Sequence, residues 1–101
     1  MTKEEILVAL RAVLNEVQVA QGLDSPPMAD TAVPKEVLPK FDSTIWPVAT
    51  IWLGKALKID IPKDVHIFGG KDGGRLLTLS ETAELVLRKA TPLAAIAHAA
   101  E

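Results

Sequence analysis

From Phe41 to Pro62, apolar side chains recur at three- and four-residue intervals: Ile45, Val48, Ala49, Trp52, Leu53, Ala56, Leu57 and Ile59. At about 100° per residue they form one broad face, so the spacing predicts a single buried helix. Asp42 and Ser43 stand at its head. A short side-chain oxygen there can accept from first-turn N–H groups that have no partner inside the helix. Pro47 is tolerated so close to the start because those N–H groups are unpaired in any case. Ile61-Pro62 marks the stop. The same projection gathers Thr44, Pro47, Thr50, Gly54, Lys55 and Lys58 in a polar arc and leaves Ile51 as the apolar residue facing outward.

The remaining helices are marked by local signals. Thr2-Lys3-Glu4-Glu5 has the form of a capping box. Ile6, Leu10, Val13, Leu14 and Val17 follow it on one face, which predicts a helix from about Lys3 to Gln21, stopped by Gly22. Thr78-Leu79-Ser80-Glu81 repeats the box, and Leu79, Ala83, Val86 and Leu87 give a last helix its inner face as far as Lys89. Between Gly22 and Lys40, four prolines and no sustained period predict a long first loop, with Met28, Val33, Val37 and Leu38 pinning it to the core. After Pro62, Lys63 to Phe68 reads as a helical turn or a buried extended piece, because Val65, Ile67 and Phe68 are too apolar for water. Gly69 to Arg75 reads as a mobile tip; it lacks the Gly-Lys-Ser/Thr ending of a phosphate-binding loop. The expectation is an all-α domain over residues 1–90, a small three- to four-helix bundle with a short helical element before its last helix. An Ala-rich tail over 91–101 follows.

The Asp-Ser, helix and Ile-Pro register resembles the acyl carrier protein family, over roughly Phe41 to Arg88. Asp42-Ser43 matches the Asp-Ser of the family's Asp-Ser-Leu motif, with Thr44 at the Leu position. Ile61-Pro62, eighteen and nineteen positions after Ser43, match the Ile-Pro that closes the family's second helix. The resemblance implies a specialised carrier, not itself an enzyme, serving fatty acid or secondary metabolite biosynthesis. A phosphopantetheinyl transferase would attach 4'-phosphopantetheine to Ser43, next to Asp42, and the arm would present an acyl thioester to acyl-transferring or acyl-modifying enzymes. Thr44, Ile51, Lys55 and Lys58 would meet those partners. Carriers usually bear acidic residues on the second helix where Lys55 and Lys58 stand here, which supports an alternative. In that reading the chain is a carrier-like interaction module that is never loaded.

Other chemistries find little footing. No Cys is present to supply a thiolate nucleophile or ligand, and His66 and His98 lack the spacing of a triad or a metal pair. A net charge of −2 without basic blocks argues against nucleic acid, and Trp46 and Trp52 fit burial better than base stacking. Apolar runs are too short to span a bilayer and no cleavable leader is visible, so the expectation is a cytoplasmic monomer away from the membrane.

Overall fold

In the computed structural model, which describes residues 2–62, 64–70 and 74–92, the chain is mostly helical. Half of the first capping box forms: the Thr2 hydroxyl accepts from the Glu5 N–H, while the Glu5 carboxylate meets the Thr2 hydroxyl rather than its N–H, and α1 runs Lys3–Ala20. Gly22, at φ +72°, ends it in a left-handed turn. There Leu23 N–H reaches the Gln18 carbonyl at 2.8 Å and Gly22 N–H the Val19 carbonyl at 3.0 Å, so carbonyls of the last turn are paired as the helix ends. Ile6, Leu7, Leu10, Val13, Leu14, Val17 and Gln18 are buried along one face of α1, and both α3 (Trp46–Leu57) and α4 (Leu79–Lys89) pack against that helix.

α3 carries fewer buried residues, Ala49, Leu53 and Gly54, so α1 rather than the Phe41–Pro62 stretch is the centre of the domain. Nor does α3 begin at Ser43. Pro47 has no N–H to return to the Ser43 carbonyl. The helical ladder therefore starts with Ala49 N–H on the Ile45 carbonyl at 3.2 Å, preceded by a tight turn in which Ile45 N–H meets the Asp42 carbonyl at 3.1 Å. At the other end the helix stops before Ile61-Pro62. Lys58 takes φ +56°, Ile59–Asp60 form strand β1, and Thr91–Pro92 form β2, paired antiparallel with Ile59 opposite Pro92. Thr91 and Pro92 thus belong to the fold, not to a tail; 93–101 lie outside the described residues. The returning strand also explains why Gly54 is buried and not in a polar arc: a Cβ there would sit 3.1 Å from the Ile59 carbonyl oxygen. Ala56 is exposed instead.

The long first loop packs. It contains the short helix α2 (Pro34–Val37), so the minor helical element sits here rather than before the last helix. Leu38 and Phe41 are buried and Met28 packs against the core, while Val33 and Val37 are half-buried. Buried Gln18 holds both ends of the loop, its amide donating to the carbonyls of Asp24 at 3.2 Å and Pro39 at 2.9 Å. Arg11 pairs with Asp30. The loop in turn supports α4: Leu79 N–H bonds the Ala32 carbonyl at 3.0 Å and Ser80 N–H the Asp30 carbonyl at 2.9 Å, while Thr78 and Glu81 close the capping box. With these contacts the first three N–H groups of α4 are satisfied. Its inner face is Leu79, Thr82, Ala83 and Val86; Leu87 is 41% exposed.

Before α4 the chain passes through turns. Phe68 meets Phe41 edge-on at 5.1 Å between ring centres, and Trp46 lies tilted 6.1 Å from Phe68. The Gly-rich segment is anchored at its base, where Gly69 pairs with Leu76, Gly70 N–H bonds the Arg75 carbonyl, and Leu77 N–H bonds the Phe68 carbonyl. Gly69 is required there: at φ +89°, a Cβ would come 2.5 Å from the Arg75 carbonyl oxygen. Residues 71–73 of the expected tip lie outside the described residues. No helix among the described residues is long and apolar enough to cross a membrane.

Two measurements check this packing. Leu53→Ala, at a fully buried position, is expected to destabilise by about 2–5 kcal/mol, and Leu57→Ala, partly exposed, by clearly less; equal denaturant midpoints for the two would contradict the burial pattern. Glu81 is held down to about 2, first by its hydrogen bonds with Arg75 and then by the Thr78 N–H. The unfolded carboxylate titrates near 4.5. Its contribution is therefore complete above that pH and lost as pH falls toward 2. Glu81→Gln should flatten the acid limb of a stability–pH curve in that window.

Candidate functional site

The turn between Phe41 and α3 presents Asp42, Ser43 and Thr44 to solvent. Buried Phe41 anchors one side of it, and the start of α3 fixes the other. Asp42 does not cap α3: the cap position is Ile45, which offers no side-chain bond. Its carboxylate accepts from the Thr44 N–H at 3.0 Å and from the Thr44 hydroxyl, closing a local turn. The Thr44 hydroxyl, the Thr44 N–H and, more weakly, nearby Lys35 hold Asp42 below the usual carboxylate range, so it stays ionised. None of the hydrogen bonds among the described residues uses the Ser43 hydroxyl, which is left free at the surface.

Beside Ser43 runs an open groove of about 520 Å³ between the first turns of α3 and the 61–70 segment, walled by Trp46, Pro47, Ile51, Pro62, Val65 and Phe68. The two walls run antiparallel. Gly70 lies against the Trp46 ring at one end, and Ile61 and Pro62 face Thr50 and Ile51 at the other. A second groove of about 460 Å³ continues past Ile51 along Gly54 and Lys55 to β1 and shares Thr50, Ile51, Ile61 and Pro62 with the first. Ile51, 56% exposed, is the ridge between them.

The structure brings Ser43 and Ile51 to the same groove and puts Lys55 in the second one; Lys58 is exposed at the left-handed stop of α3, and Thr44 stays in the Asp42 turn. It adds His66, whose exposed side chain lines the Ser43 groove but has no hydrogen bond to Ser43 among the described residues. Residue spacing shows nothing of this pairing, because the 61–70 segment reaches Ser43 only by folding back along α3. The apolar Val65, Ile67 and Phe68 were the available signal that the segment must pack somewhere.

Chemically, the arrangement offers an unencumbered hydroxyl beside an apolar channel. Among the described residues it assembles neither a general base against that hydroxyl nor a cluster of three or more metal-binding side chains. No protein-family profile, curated protein or solved structure matches the chain. Ile51→Glu is expected to change unfolding free energy by no more than about 0.5 kcal/mol, since the side chain is already in water. A large loss in a denaturant melt would mean that the ridge is part of the core.

Proposed function

We propose that this domain is a carrier: Ser43 holds a 4'-phosphopantetheine arm whose thiol bears an acyl group, and α3 presents the loaded arm to partner enzymes. The observation that carries the reading is the exposed Ser43 hydroxyl, without a hydrogen bond among the described residues, lining an apolar groove. A transferase can reach such a hydroxyl without help from a base in this chain. An acyl group at the end of the flexible arm can fold back onto the apolar walls beside Ser43, which lowers its cost in water. The Asp42-Ser43 to Ile61-Pro62 register, which resembles that of acyl carrier proteins, supports the same assignment. In this reading the chain catalyses nothing itself, and its partners are the transferase and the enzymes that load and unload the acyl group.

One observation favours a second reading, an interaction module that is never loaded. The only charged side chain within α3 is that of Lys55, and Lys58 follows at its end, so α3 itself presents cations where carriers usually present acidic residues, with Asp60 sharing the second groove with Lys55.

Intact mass after incubation with coenzyme A and a broad-specificity phosphopantetheinyl transferase separates the two. A single phosphopantetheine addition, absent in Ser43→Ala, is expected. No addition with several transferases would leave the unloaded module as the better account.

A further inference from the structure

We propose that the groove beside Ser43 is shaped for a planar aromatic group. Three of its lining side chains are aromatic, Trp46, His66 and Phe68, and Pro47 and Pro62 add apolar surface beside them. The key wall is the half-buried indole of Trp46, and it is held in place from several sides. Its Nε1–H donates to the Phe41 carbonyl at 3.3 Å. The Phe41 and Phe68 rings lie 6.5 and 6.1 Å away, tilted by 44° and 43°. On another side the six-membered ring lies near Gly70, where an added Cβ would make ordinary van der Waals contact with it at 3.5 Å. Gly70 has φ +78°, a backbone state natural to glycine, so the anchored hairpin base delivers a bare backbone surface to the indole.

A wall fixed in this way loses little freedom when a ligand lies against it, which is the condition under which ring-to-ring geometry counts. A flexible alkyl chain in the groove gains from the apolar area it buries. A planar aromatic group gains that area and also the quadrupole pairing of offset or edge-to-face rings with Trp46. The volume of about 520 Å³ is of the size that holds a small molecule. The polar groups at the groove are few. The Thr50 hydroxyl is committed to the Trp46 carbonyl at 2.8 Å, which leaves the exposed His66 side chain to meet the polar end of the ligand.

The inference rests on the carrier reading only for how such a group arrives, as an aromatic acyl group held from Ser43; recognition by the groove does not require the covalent link. Free S-benzoyl-pantetheine and S-hexanoyl-pantetheine are therefore the probes, titrated into Trp52→Phe protein so that Trp46 is the sole indole. Calorimetry on the parent chain guards against any effect of that substitution. The benzoyl probe is expected to shift Trp46 emission and to bind about two- to tenfold more tightly than the hexanoyl probe, the factor an aromatic pair adds beyond its area. The preference should persist in Ser43→Ala and disappear in Trp46→Leu. If Trp46→Leu does not fold, cross-relaxation from the probe's ring protons to the Trp46 indole of the parent decides the same point. Equal or tighter binding of the hexanoyl probe, no binding of either, or no contact with Trp46 at saturating probe overturns the proposal. Failure to load Ser43 while the benzoyl preference holds removes the carrier reading and leaves the aromatic groove.

Discussion

The stripe Ile6, Leu7, Leu10, Val13, Leu14 and Val17 gives α1 a buried face on which two other helices meet, and the remaining geometry depends on that burial. Each such side chain contributes about 1.5–3 kcal/mol when withdrawn from water, against an overall stability of only about 5–15 kcal/mol for a domain of this kind. α3 and α4 each offer a narrower apolar face, so each is held chiefly through α1. The buried Gln18 at the end of the stripe extends the same control to the first loop, whose beginning and end it ties together through Asp24 and Pro39.

From that frame the site follows by backbone accounting. The loop that Gln18 fixes supplies the Asp30 and Ala32 carbonyls to the start of α4, and it delivers Phe41 to the core beside Phe68. Burial of Phe41 places Asp42, Ser43 and Thr44 on the surface in the turn that follows. The prolyl ring of Pro47 delays the start of α3, and the Asp42–Thr44 bonds occupy the two polar neighbours of Ser43 with each other. At its far end the left-handed Lys58 turns the chain back along α3, and this return forms the groove.

What could be read from the sequence is what local chemistry decides. The start and Gly22 stop of α1, the Thr78–Glu81 box and the outward Ile51 all depend on residues within a few positions of one another. The ends of α3 were misplaced for identifiable reasons. Asp42-Ser43 resembles a cap, but Pro47 withholds the N–H that would extend the helix back to Ser43. Lys58 is not a residue whose identity announces a left-handed stop, so Ile-Pro was given that role instead. The helical projection places Gly54 in solvent because its burial comes from Ile59, which the same projection puts on the helix rather than in a returning strand. The groove was illegible because its two walls are separate segments joined by that return. Ser43 itself was legible as a candidate, whereas His66 and the ringed wall around Trp46 required the fold.

Ser43 thus stands exposed in a turn fixed by buried Phe41 and the start of α3, beside an apolar groove, and in the reading proposed above its hydroxyl is a point of attachment. The most direct measurement is peptide mass spectrometry on the protein taken from the cells that naturally make it. Cleavage after Lys40 and Lys55 isolates Phe41–Lys55, which holds Ser43 together with Thr44 and Thr50. This peptide is expected to carry a phosphopantetheine mass increment that fragment ions place on Ser43. Recovery of the peptide wholly unmodified, at full coverage and under conditions that preserve phosphodiesters, would contradict it.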